Sequence, residues 1–154
     1  MISNAIHTNH VYVMIRYVIS RSVEETLAMA EEWGRNSGPG AVFALTGELG
    51  AGKTIIAKGI ARGLGITDDI TSPTFTLLEI YEGVIPLYHF DLYRIDSEAE
   101  LDLLDFESYW EDDGVSVIEW ADKACDRLPA GHMRISIEYH NESSRSITIE
   151  YPGD

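Results

Sequence analysis

The pattern of apolar and polar positions divides the chain into short elements. Arg16 to Ile19 reads as a brief strand. Ser22 and Glu25 form a Ser-x-x-Glu capping box that opens a helix, with Val23, Leu27, Ala30 and Trp33 on one face. Ser37-Gly38-Pro39-Gly40 stops that helix. Ala41 to Thr46 is an apolar run of the kind a parallel strand shows when both its faces are buried. Thr54 to Leu64 returns to helical spacing through Ile56, Ile60 and Leu64, and Gly65 ends it. Ile66 to Ser72 reads as a loop, because Pro73 pushes Ser72 out of helical conformation. Phe75 to Tyr81 and Val84 to Asp91 flank Glu82-Gly83 as a β-hairpin, and Ser97 with Glu100 opens a short helix whose apolar face is Leu101 and Leu104. Val115 to Trp120 is strand-like, and Leu128-Pro129-Ala130-Gly131 is a turn. His132 to His140 and Arg145 to Tyr151 then alternate as an antiparallel pair that closes the sheet with one face to water. Residues 1–13 lack periodicity and are expected to form a disordered N-terminal extension, with Met14 an alternative start; residues 14–154 form a single domain. The predicted class is α/β: a mixed sheet flanked by helices, with antiparallel strands at its C-terminal end.

Between the apolar strand and the helix that follows lie Gly47, Glu48, Leu49, Gly50, Ala51, Gly52, Lys53 and Thr54, which match G-x-x-x-x-G-K-S/T at every fixed position. Glycines let successive N–H groups turn inward toward phosphate oxygens, and the following helix adds the positive end of its dipole. Lys53 is expected to reach the β- and γ-phosphates and the Thr54 hydroxyl to ligate Mg²⁺. The fold is therefore expected to be P-loop NTPase-like, with a nucleotide and Mg²⁺ as cofactors. The N-K-x-D motif that reads guanine is absent, which points to ATP. Hydrolysis also needs a carboxylate for the metal and a group at the reacting phosphate. Asp91 and Glu119 stand at the carboxyl ends of predicted strands, where ligands collect in parallel α/β sheets.

Composition narrows the classes further. The 154-residue chain has a formal net charge of -15 and a pI near 4.5, so its surface potential opposes a nucleic acid backbone and no direct strong nucleic-acid binding is expected. One Cys permits no internal disulfide, and the five His are scattered, which favours structural or surface roles for them over metal ligation. No apolar run reaches the roughly 18 residues of a membrane span, and no leader pattern opens the chain. A cytoplasmic location without membrane contact is expected.

Four stretches in this order resemble the TsaE (YjeE) family: Gly47 to Thr54, Ser72-Pro73-Thr74-Phe75, His89-Phe90-Asp91-Leu92-Tyr93-Arg94 and Glu119-Trp120. The resemblance covers about Tyr17 to Tyr151. It implies a small bacterial ATPase, weak alone, that supports threonylcarbamoyladenosine modification of tRNA next to the anticodon through the TsaD and TsaB proteins. It further implies that Thr54 and Glu119 hold Mg²⁺, that Asp91 acts with Lys53 near the γ-phosphate, and that Ser72, Pro73, Thr74 and Phe75 form a nucleotide-sensing switch loop. Ser22, Thr26, Glu142 and Arg145 are candidates for the base and ribose. Two alternatives stay open: a nucleotide-switched binding protein with negligible turnover, and a small-molecule phosphotransferase. The second would use an Arg-rich lid, whereas the eight Arg here are dispersed. Asp96 to Asp113 carries nine Asp or Glu and no Lys or Arg, interleaved with Leu101, Leu103, Leu104, Phe106, Tyr109 and Trp110. It reads either as a solvated face or as a docking surface for a basic partner.

Overall fold

In chain order the elements are β1 (Ile2–Thr8), β2 (Val11–Ser20), α1 (Val23–Arg35), β3 (Val42–Thr46), α2 (Lys53–Gly63), β4 (Leu78–Tyr81), β5 (Leu87–Asp91), α3 (Glu98–Leu104), β6 (Val115–Glu119), β7 (Met133–Tyr139) and β8 (Arg145–Tyr151). Short 3₁₀ turns occupy Phe106–Glu111 and Ala121–Ala124. The computed structural model describes residues 2–8, 11–124 and 126–152. Among them one mixed sheet of eight strands runs in the order β1-β2-β8-β7-β3-β6-β5-β4. The four strands β7, β3, β6 and β5 at its centre are parallel, and antiparallel pairs extend it on both sides.

Alternation along β3 explains its apolar run. Phe43 and Leu45 point to one face, where they join Ile56, Ile60, Val117 and Ile135 beneath α1 and α2. Val42 and Ala44 point to the other, against Phe90, Ile118, Leu101 and Phe106. Both faces of the central strands are thus covered, as parallel strands require.

The helix α1 departs from the expected face. Its buried line is Thr26, Ala30 and Gly34, while Val23 is 53% exposed. Small residues win because the two helices meet backbone to backbone. A Cβ on Gly34 would lie 2.3 Å from the Ile60 carbonyl oxygen, closer than any real contact permits.

Other boundaries also moved. Residues 1–13, expected to be a disordered extension, instead include β1 and the start of β2, which pair antiparallel from Ile2↔Tyr17 to Thr8↔Val11; Met1, Asn9 and His10 lie outside the described residues. A ladder of backbone hydrogen bonds needs no side-chain alternation, so periodicity was blind to it. The antiparallel pair β7 and β8 does not close the sheet, since β2 and β1 continue it beyond β8. The hairpin strand expected over Phe75 to Tyr81 shrinks to β4, because Leu77, at φ 68°, donates its N–H to the Pro73 carbonyl and closes a turn first.

The aromatic residues of the acidic stretch turn inward. Phe106 meets Phe90 edge-on at 6.1 Å, and Tyr109 meets Tyr88 at 4.9 Å and Phe90 at 5.6 Å. The Tyr88 hydroxyl donates to Asp112 at 2.7 Å, and burial, then that carboxylate, push the phenol up to about 12. Arg127 pairs with Asp102 at 2.9 Å and with Glu107, holding this layer from outside. The interleaved rings are core, and most of the carboxylates between them face solvent.

The α1–α2 contact yields a direct test. In an open helix Gly→Ala would stabilise by roughly 0.5–1 kcal/mol. At Gly34 the overlap with Ile60 backbone dominates, and overpacking of this kind costs about 1–3 kcal/mol. Gly34→Ala should therefore lower the urea midpoint. Gly38→Ala, with nothing within 4 Å of the added Cβ, should leave the midpoint unchanged or raise it slightly, because alanine removes freedom from the unfolded chain.

Candidate functional site

The loop from Gly47 to Gly52 leaves β3 at its carboxyl end and delivers the chain to the N-terminus of α2. Gly47 has φ 151°, and a Cβ there would fall 2.4 Å from the Ile137 carbonyl oxygen, so glycine is required by space as well as by conformation. No side chain caps α2 at Gly52. The first-turn amides are consequently open toward the cleft, where they and the helix dipole can receive an anion.

Lys53 is 5% exposed and folds back over its own loop. Its Nζ donates to the carbonyls of Gly47 at 2.6 Å and Glu48 at 2.8 Å, and lies 4.2 Å from the centre of the Trp120 ring. Burial lowers its pKa from the ordinary lysine value, and Glu119, Asp91 and Asp122 oppose that shift in part.

The two carboxylates expected at strand ends stand side by side. Asp91 and Glu119 are register partners at the ends of parallel β5 and β6, with 2% and 3% exposure. Glu119 accepts from the Thr54 hydroxyl at 3.2 Å through Oε1 and meets His89 Nε2 at 2.5 Å through Oε2. Asp91 holds the Ser72 to Phe75 loop instead. Its Oδ2 accepts from Ser72 at 2.5 Å and from Thr74 at 3.2 Å, while Oδ1 accepts from the Tyr93 N–H at 2.9 Å. Pro73 is buried, and Phe75 is 84% exposed with the Arg94 guanidinium 4.8 Å from its ring centre.

Trp120 follows Glu119 at φ 57°, a left-handed conformation uncommon for a bulky residue. The reversal lays its ring over Lys53 and against Tyr93, whose centroid is 4.9 Å away. Together these groups line a cleft of about 380 Å³ that contains Leu49, Gly50, Gly52, Lys53, Thr54, Ser72, Thr74, Asp91 and Glu119. A second cleft of about 380 Å³ meets it at Gly50, Gly52 and Ile55, and Ser22, Thr26, Glu142 and Arg145 all line it. Arg145 ties the β7–β8 turn to the loop by donating from Nε to the Ala51 carbonyl at 3.0 Å. Glu48 is exposed at the loop's outer edge, and Ala51 is buried beneath it.

The oxygen donors of Thr54 and Glu119 suit a hard divalent cation such as Mg²⁺. Among the described residues no group of three or more His, Cys, Asp or Glu could hold a metal alone.

Residues 20–147 match the family described as "Threonylcarbamoyl adenosine biosynthesis protein TsaE". The chain belongs to the TsaE family. It is 42% identical over 132 residues to the Bacillus subtilis (strain 168) "tRNA threonylcarbamoyladenosine biosynthesis protein TsaE", covering 85% of this chain and 82% of that one. The Treponema pallidum (strain Nichols) protein of the same name is 40% identical, over 85% of this chain and 97% of its own. A crystal structure of Bacillus subtilis YdiB superposes with a TM-score of 0.78 at 36% identity, covering 92% of this chain and 88% of that chain. The family role of this TsaE chain is in tRNA threonylcarbamoyladenosine biosynthesis. No described helix is long and apolar enough to cross a membrane.

Two residues beyond the predicted set border the cleft. His89, expected to be structural or surface, is buried and touches Glu119, and its period-two spacing with Asp91 on β5 puts both on one face. Trp120 stands in the Glu119-Trp120 stretch, and no sequence pattern announces a left-handed tryptophan.

The lowered pKa of Lys53 sets a pH signature. The unfolded chain holds the lysine proton more tightly than the folded one, so between the folded pKa and 10.5 the unfolded state binds more protons and stability rises with pH. Subtracting the pH profile of Lys53→Met from that of wild type should expose this rise on approaching pH 10.5. A difference that is flat or falls there would contradict the desolvated ammonium.

Proposed function

We propose that this chain binds MgATP and hydrolyses it, weakly alone, in a cycle coupled to TsaD and TsaB during threonylcarbamoyladenosine biosynthesis. The observation that carries the reading is the convergence of Lys53, Thr54, Asp91 and Glu119 on the one cleft at the N-terminus of α2. Gly47 to Thr54 cradle the phosphates, and Lys53 exchanges its loop carbonyls for phosphate oxygens. The adjoining cleft at Ser22, Thr26, Glu142 and Arg145 takes the nucleoside. Thr54 and Glu119 would hold Mg²⁺, which would supply positive charge to the phosphate oxygens. Asp91 works at the reacting phosphate and holds Ser72 and Thr74, whose hydroxyls can turn to a γ-phosphate and return to the carboxylate after hydrolysis. A partner with basic patches would be steered by the exposed carboxylates that include Glu98, Glu100 and Asp105.

One observation favours a second reading. Both Asp91 oxygens are already engaged by the loop and by the Tyr93 amide, as suits an anchor in a nucleotide-switched binding protein with negligible turnover. Turnover measured with and without TsaD and TsaB separates the two.

Two sets of variants test the scheme. Lys53→Ala should fold but lose about 3 kcal/mol of ATP binding, measured by calorimetric titration; unchanged affinity would remove the phosphate-loop assignment. Asp91→Asn should reduce hydrolysis more than ATP affinity, and Glu119→Gln should shift the Mg²⁺ dependence of binding. Wild-type hydrolysis in both would reject the division of labour between the carboxylates.

A further inference from the structure

Glu119 lies at the cleft, but what holds its carboxylate lies behind it. His89 is 0% exposed and Glu119 3%, and the 2.5 Å contact from Nε2 to Oε2 is the shortest polar contact either side chain makes among the described residues. His89 stands on β5 opposite Val117 of β6, two positions before Asp91 and Glu119 and on the same face. Its Nδ1 is buried and has no hydrogen-bond partner among the described residues. A proton on Nδ1 would be a buried N–H without an acceptor, so the ring fits as the tautomer that donates from Nε2.

We infer that His89 is a positioning residue that locks the Glu119 carboxylate in the orientation needed for the divalent cation. This rests on the reading of Glu119 as a metal ligand. The end torsion of a glutamate is broad and roughly two-fold, so one anchor on a carboxylate leaves it free to swivel. Here there are two anchors, His89 on Oε2 and the Thr54 hydroxyl, which lies nearer Oε1 at 3.2 Å than Oε2 at 3.5 Å. Thr54 is itself assigned to the cation, so when its oxygen turns to the metal the Glu119 anchor on that side is given up. His89 then remains as the fixed donor, and it keeps Oε1 directed at the cleft. Outer-shell partners of this kind typically change metal affinity by about 10–100-fold when removed.

The test uses the full chain saturated with a non-hydrolysable ATP analogue, with Mn²⁺ as the probe and its affinity read by electron paramagnetic resonance. Analogue affinity is measured separately in EDTA. His89→Leu removes the donor, His89→Asn is too short to reach Oε2, and His89→Gln replaces Nε2 with an amide nitrogen of similar reach. Leu and Asn should weaken Mn²⁺ binding about 10–100-fold while metal-free analogue affinity stays near wild type, and Gln should restore most of the loss. Circular dichroism checks folding, and if Leu does not fold the contrast between Gln and Asn decides alone. Wild-type Mn²⁺ affinity in Asn or Leu overturns the inference, as does a Gln variant as weak as Asn. Glu119→Gln is the reference: if it weakens Mn²⁺ while the His89 variants do not, positioning fails and the ligand reading stands. If Glu119→Gln leaves Mn²⁺ affinity unchanged, the ligand reading fails and the inference falls with it.

Discussion

Burial of charge at the ends of three parallel strands is the constraint around which this molecule is arranged. Lys53, Asp91 and Glu119 are each 5% exposed or less, and an ionised group taken out of water costs several kcal/mol unless it is hydrogen-bonded and paired. Each is provided for by a different part of the chain. Lys53 has two loop carbonyls, Asp91 has two hydroxyls and an amide, and Glu119 has Thr54 and His89. The lysine is provided for by its own loop, whereas the side-chain donors to the two carboxylates come from residues distant in sequence. The carboxylates meet because β5 and β6 lie in register, and the lysine meets them because β3 lies on the other side of β6.

Close packing elsewhere supports that arrangement. The α1–α2 contact through Ala30, Gly34 and Gly59 presses α2 against its partner, and α2 begins at Lys53. On the opposite face the edge-to-face rings of Phe90, Phe106 and Tyr109 fix the layer beneath β5 and β6. Arg127 joins Asp102 and Glu107 over the same layer, so part of the acidic stretch is neutralised within the chain while Glu98, Glu100 and Asp105 stay exposed.

Strain is concentrated at the cleft. Trp120 and Leu77 both have left-handed backbones, which bulky residues adopt only where the surroundings impose it. Trp120 thereby covers Lys53, and Leu77 closes the turn that brings Ser72 and Thr74 to Asp91, its own carbonyl accepting from the Asp91 N–H at 3.0 Å. The Ser72 to Phe75 loop and the lysine are thus each held by hydrogen bonds made within the cleft.

The α/β class, the glycine loop between strand and helix, both capping residues Ser22 and Ser97, and the two strand-end carboxylates are legible along the chain. All of these are local: a cap is read over four residues, a buried strand over five or six, and the loop from its glycines and its Lys-Thr pair. The remaining features depend on contacts between distant segments. Residues 2–8 became a strand because β2 offered unpaired backbone groups, which no periodicity records. The buried face of α1 moved to Thr26, Ala30 and Gly34 because α2 came too close for larger side chains. Asp91 proved to hold the Ser72 to Phe75 loop, and His89 to hold Glu119, because hydrogen bonds between residues 19 and 30 positions apart depend on strand register.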